Sequence, residues 1–152
     1  DAQGRLVAHE KKFPSGMKAL ADAIRSKGLR PGIYSEAGTN TCGSYYDNDE
    51  RGIGAGLHGH EEADIRQMLV EWGYEFLKVD WCGGLREGLS EQEQYTKIGR
   101  IIRRIKPEAV YNVCRWQYPG DWVRDIADSW RISADIEPTF DSIMKIVDLC
   151  EP

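Results

Sequence analysis

Lys78 and Asp80 stand one residue apart at the end of a short apolar run, Tyr74-Glu75-Phe76-Leu77, just before Trp81-Cys82-Gly83-Gly84. Side chains two positions apart on a strand share a face, so the two project together from a strand's C-terminal end. In parallel α/β folds that end houses the chemistry. A neighbouring cation lowers a carboxylate's pKa, and an ionised carboxylate is what a nucleophile requires. A plain strand-end ion pair would give the same pattern. A second carboxylate, Asp135, closes the run 130–136, which also carries Arg131. Two aspartates at different strand ends, each near a cation, suit a paired-carboxylate mechanism. Tryptophans and tyrosines in the adjoining loops add flat apolar faces of the kind sugars stack on. Taken alone, these residues support an α/β enzyme, with glycoside chemistry as one candidate among others.

The elements that must position these groups alternate along the chain. Ser15 is a candidate N-cap for a helix in which Met17, Leu20, Ala21 and Ile24 recur at helical spacing up to Gly28, its C-cap. Residues 29–34 read as a buried strand, with Pro31 expected near its start. A Gly-rich loop over residues 35–60 is long enough to favour a functional or lid-like role. A helix over 61–72 places Ile65, Met68, Leu69 and Trp72 on one face and leads to the strand at 78–80. Ser90-Glu91-Gln92-Glu93 has the capping-box pattern and opens a helix stopped by Pro107. Strands follow at 109–114 and 130–136, separated by a short helix over 121–128. Residues 139–150 form a last helix, capped by Thr139, with Ile143, Ile146, Val147 and Cys150 inside. Alternation of this kind predicts a parallel sheet with right-handed crossovers.

Composition narrows the partners. The chain has 152 residues, 30% charged and 41% hydrophobic, with a net charge of -5, the profile of one ordinary globular domain. Arg100, Arg103 and Arg104 are interrupted by Ile101 and Ile102 and read as a solvated helix face, so no nucleic-acid partner is expected. No run approaches a membrane span and none resembles a signal peptide. The chain opens mid-pattern on Asp1-Ala2-Gln3-Gly4, as a processed or truncated N-terminus does. Cys42, Cys82, Cys114 and Cys150 match no zinc spacing; two of them can pair while the others are buried thiols. His9, His58 and His60 fall in loops, and no metal or other cofactor is expected.

Several segments, in order, resemble glycoside hydrolase family 27, the α-galactosidases and α-N-acetylgalactosaminidases. They are Phe13-Pro14-Ser15-Gly16-Met17, Ser26-Lys27-Gly28-Leu29, Gly32-Ile33-Tyr34, Thr41-Cys42 and Trp72-Gly73. Lys78-Val79-Asp80-Trp81-Cys82, Cys114-Arg115-Trp116 and Trp130-Arg131-Ile132-Ser133-Ala134-Asp135-Ile136 continue the series. The resemblance implies a (β/α)8 barrel followed by a β-sandwich, and a retaining mechanism. It implies Asp80 as nucleophile and Asp135 as acid/base, with carboxyls roughly 5 Å apart. It implies sugar contacts from Tyr34, Lys78, Arg131 and the loop residues Arg115 and Trp116, with the bulk of Trp81 close to the nucleophile. It also implies a Cys42–Cys82 disulfide joining the loops after two successive strands, and hence a secreted, periplasmic or lysosomal location. The resemblance leaves Cys114 unpaired, because Ala127 occupies its usual partner's place.

Three departures shape the expectation. Arg115 stands where the family's α-galactosidases commonly carry a glutamate that reads the sugar's 2-hydroxyl, which keeps α-N-acetylgalactosaminidase as an alternative. The family's paired aspartates that decide between α-D-galactoside and β-L-arabinopyranoside do not occur in this sequence, which keeps β-L-arabinopyranosidase as another. A complete barrel takes about 250 residues, so residues 1–152 are expected to supply only the third to sixth strands of the catalytic domain, without the sandwich. The expected partners are a galactoside oligosaccharide or glycoconjugate, and the missing half of the barrel or a second copy. A non-catalytic half-barrel that binds carbohydrate is the alternative of another class.

Overall fold

The computed structural model describes residues 1–150. Four strands, β1 (Gly32–Glu36), β2 (Phe76–Asp80), β3 (Val110–Val113) and β4 (Ser129–Trp130), form one all-parallel sheet in chain order. Around it lie α1 (Gly16–Arg25), α2 (Cys42–Tyr46), α3 (Glu61–Arg66), α4 (Cys82–Arg86), α5 (Glu91–Ile105) and α6 (Phe140–Asp148). The fold is α/β of the (β/α)8-barrel type, here as an arc of four strands.

Alternation along the strands separates two faces. Leu77 and Val79 of β2 and Tyr111 and Val113 of β3 are fully buried, and they cluster with Ile65, Met68 and Leu69 on one side and Tyr95, Ile98 and Ile102 of α5 on the other. Each such side chain contributes about 1.5–3 kcal/mol by leaving water, so this helix-covered face is the core. Phe76, Lys78, Val110 and Asn112, on the opposite face, are only partly buried. α5 is fixed to its neighbours at the surface by Arg104 on Glu62 and Arg103 on Asp128.

Several elements differ from expectation. β1 starts after Pro31, as the missing N–H of proline requires, but it extends to Glu36. The long loop over 35–60 contains α2 and a 3-10 turn at Glu50–Gly52, and the helix after it passes into a π turn over Gln67–Glu71. The stretch 121–128 narrows to a 3-10 turn, Asp121–Asp125. Ser15 and Ser90 occupy N-cap positions, yet neither side chain accepts a helix N–H. Thr139 does cap, accepting from Ser142 N at 3.2 Å. β4 is the largest difference. It pairs with β3 at Asn112↔Ser129 and Val113↔Trp130 only, so Asp135 lies beyond the strand. With no strand described on its outer edge, β4 has only β3 to extend it. α6 has the expected apolar period, but no residue of it is buried, and Phe140 is 74% exposed. Its apolar residues Ile143, Met144 and Val147 stay exposed.

Candidate active site at the C-terminal strand ends

Register brings the candidate groups into rows. Tyr34 of β1 lies beside Lys78 of β2, which lies beside Asn112 of β3. One step further, Glu36 lies beside Asp80. Lys78 and Asp80, two positions apart on β2, point the same way, and Lys78 Nζ sits 3.3 Å from Asp80 Oδ1. The Asp80 side chain is 12% exposed, and its Oδ1 is buried without a hydrogen bond among the described residues. A carboxylate oxygen beside a cation but bonded to nothing keeps its lone pairs available, which is the arrangement a nucleophile needs. Lys78 Nζ also lies 5.6 Å from the centre of the Tyr34 ring. The Tyr34 hydroxyl accepts from Cys42 N at 3.3 Å, and burial holds its pKa above the ordinary phenol value.

Cys42 and Cys82 form a disulfide with 5.2 Å between their Cα atoms. It ties α2, after β1, to α4, after β2, and it brings Cys42 Sγ to 3.5 Å from Asp80 Oδ2. A disulfide sulfur carries no proton, so this is packing and not donation. Cys114, at the end of β3, is a free buried thiol. Burial, and after it the adjacent Asp80 carboxylate, push its pKa up. On its other side Arg131 Nη1 approaches the sulfur to 3.8 Å. The same Nη1 is 2.7 Å from Asp135 Oδ1. Cys114 and Arg131 therefore stand in sequence between Asp80 and Asp135. Asp135 itself is 79% exposed and is held in this structure by Arg131.

Two residues expected at the sugar site make contacts within the protein. Trp81 is fully buried in the core, 5.0 Å from the Tyr95 ring centre and against the α4 backbone at Gly84. It follows Asp80 directly, and the alternation that turns Asp80 to the open face turns Trp81 into the helix layer. Arg115 donates from Nε to Glu91 Oε2 at 2.9 Å in a largely buried ion pair, so this edge of its guanidinium is engaged within the protein. Trp116 is partly buried and packs against the core. Glu36, which falls just beyond the strand expected over 29–34, is completely buried beside Asp80. Its even spacing from Tyr34 was the available signal.

A parallel α/β sheet with Tyr34, Lys78 and Asp80 at its C-terminal ends and Arg131 and Asp135 just beyond has the layout of a barrel-type site. Residues 1–151 match the family model described as Melibiase_2, Alpha galactosidase A, and the chain belongs to that family of glycoside hydrolases, glycoside hydrolase family 27. It is 39% identical over 150 residues to Alpha-galactosidase 2 of Arabidopsis thaliana, covering 97% of this chain and 35% of the relative. It is 37% identical over 148 residues to an alpha-galactosidase of Cyamopsis tetragonoloba, covering 96% of this chain and 33% of the relative. The crystal structure of alpha-galactosidase I from Mortierella vinacea superposes with a TM-score of 0.78 at 34% identity, over 92% of this chain and 34% of that one. The chain thus spans about a third of the length of these relatives.

Proposed function

We propose that this chain carries the two catalytic carboxylates of a retaining α-galactosidase. The observation that carries the reading is Asp80 Oδ1, buried at a strand end, 3.3 Å from Lys78 Nζ and free of hydrogen bonds among the described residues. In the first step an Asp80 oxygen bonds to the anomeric carbon as the glycosidic C–O bond breaks. Asp135 gives its proton to the departing oxygen. In the second step a water oxygen bonds to the same carbon, Asp135 takes the water's proton, and the bond to Asp80 breaks to free the sugar with its configuration retained. Lys78 stabilises the charge on Asp80 before the first step and again as the carboxylate is released in the second. Tyr34 forms one wall of the sugar site, and Arg131 orients Asp135.

The substrate is a terminal α-D-galactoside on an oligosaccharide or glycoconjugate, in keeping with the names of the relatives. The residues belong to one arc of the catalytic barrel, and the open edges of β1 and β4 take further strands. The Cys42–Cys82 bond suits an oxidising compartment, whether extracellular, periplasmic or lysosomal.

The test uses the full-length gene product that carries this chain. Nitrophenyl α-galactoside should be hydrolysed with the α-anomer of galactose formed first, and Asp80→Asn should remove turnover. A fluorinated, activated α-galactoside should leave a sugar on the peptide containing Asp80. Label on any other residue, or full activity in Asp80→Asn, overturns the assignment.

A further inference from the structure

The Glu36 carboxyl is enclosed almost entirely by backbone. Its Oε2 accepts from Gly38 N at 2.5 Å and its Oε1 from Gly84 N at 3.5 Å. The first donor belongs to the loop that follows β1 and the second to the first turn of α4, which follows β2. These two segments touch backbone to backbone. A Cβ on Gly38 would meet the Gly83 carbonyl carbon at 2.5 Å, and a Cβ on Gly83 would meet Glu36 Oε2 at 2.6 Å. The same junction holds Cys82 of the disulfide and receives a bond from Ala37 N to the Asp80 carbonyl at 3.0 Å.

We propose that Glu36 is a positioning residue for Asp80, clamping the loop after β1 to the first turn of α4 by accepting their backbone N–H groups. The proposal rests on the reading of Asp80 as nucleophile. β2 ends at Asp80 and α4 begins two residues later, so whatever fixes the first turn of α4 against β1 also fixes the chain on which the Asp80 side chain is mounted. A displacement of about 1 Å at a reacting group costs on the order of 10²-fold in rate. A carboxyl with two oxygens spans two segments that have no side chain to interlock, because the residues that meet are glycines.

Glu36 forms no ion pair among the described residues. β2 presents its own carboxylate, Asp80, with Lys78 one step back; β1 presents the Tyr34 phenol; α2 presents the Tyr45 phenol. The first turn of α4 brings disulfide-bonded Cys82 and two glycines, and α5 brings the neutral Gln94, whose Nε2 donates to Ala37 O at 2.9 Å. Burial without a cation pushes the Glu36 pKa up to about 7, against the pull of the backbone N–H groups. The protonated carboxyl still offers its carbonyl oxygen to Gly38, so glutamine at this position copies that form, whereas leucine removes both acceptors.

The experiment compares wild type, Glu36→Gln and Glu36→Leu in the full-length protein. It reads kcat and KM for nitrophenyl α-galactoside from pH 4 to 9, and amide hydrogen exchange over residues 37–41 and 81–86. Glu36→Leu should lower kcat at least 30-fold with KM within threefold, and exchange in both segments should quicken at least tenfold. Glu36→Gln should keep kcat within fivefold at pH 5, keep exchange protection over residues 37–41, and lose a wild-type limb with its midpoint near pH 7. Unchanged exchange in Glu36→Leu, or a KM rise at constant kcat, overturns the proposal. If Glu36→Leu does not fold, Glu36→Gln decides: persistence of the limb near pH 7 overturns it. A wild type that hydrolyses no galactoside overturns the hydrolase reading instead, and the exchange data still judge the clamp.

Discussion

Arg131 holds Asp135 by an ion pair of 2.7 Å while most of the Asp135 side chain faces solvent. The arginine is three-quarters buried and continues to the Cys114 thiol, so the better-anchored partner sets the position of the other. Replacing it by glutamine keeps most of the size and removes the charge and the fork. Arg131→Gln should lower kcat on nitrophenyl α-galactoside by about 10²-fold. The exposed pair adds little to stability, so thermal unfolding should move by no more than a degree or two. An unchanged kcat would show that Asp135 needs no such anchor.

Trp81 separates packing from sugar binding. It is buried against Tyr95, and Trp81→Ala should destabilise the fold by about 3–5 kcal/mol, read as a lower urea midpoint with an unchanged slope. Trp81→Phe restores most of the volume and should return KM for the galactoside to within twofold of wild type. A KM raised tenfold in Trp81→Phe, with stability intact, would return this residue to the sugar site.

The Cys42–Cys82 bond closes a loop with a sequence separation of 40. Loop-closure entropy for that length corresponds to about 4 kcal/mol at 25 °C. Double replacement by serine, or reduction of the wild type, should lower unfolding stability by about 2–4 kcal/mol. Activity should fall as well, because the bond lies against Asp80. Equal unfolding curves with and without reductant would exclude a strong contribution from this cross-link.

Glu36 also gives the fold a pH dependence of defined sign. Its folded pKa of about 7 lies above the ordinary value of 4.5, so the folded state holds a proton that the unfolded chain releases. The associated stability is fully present below about pH 4.5 and is lost as pH rises through 7, amounting to at most about 3 kcal/mol. Glu61 and Asp128 have the opposite sign: cationic and hydrogen-bonding partners outweigh burial and lower their pKa values. Their stability is present above the usual carboxylate range and is lost as pH falls through the lowered values. Asp64, raised by burial, shares the sign of Glu36 from a lower starting value, so Glu36→Gln should reduce the decline of melting temperature between pH 5 and 8. A variant curve parallel to wild type would assign that decline to another group.

Legibility in the sequence followed the physics of each feature. The parallel α/β order was visible because apolar runs and helical periods are local, and Lys78 and Asp80 met because a two-residue spacing fixes a shared face. Trp81 was expected near the nucleophile and is buried against Tyr95, a placement its odd spacing from Lys78 already indicated. β4 was overextended because side-chain alternation over 130–136 carries no information about whether a neighbouring strand is there to pair. The period of α6 was correct and its burial was not, for the same reason: amphipathicity reports a face, not what covers it. Glu36 was hidden because its partners are backbone N–H groups of Gly38 and Gly84, which no residue type announces.

The sheet order β1-β2-β3-β4 repeats the order of the chain. Every strand after the first therefore finds its partner among residues already synthesised, and none must wait for one made later. Chains emerge from the ribosome at about 5–20 residues per second, far slower than helices and short loops form. The β1–β2 pair and the Cys42–Cys82 bond involve no residue beyond Cys82, so neither depends on the later segment that carries Asp135.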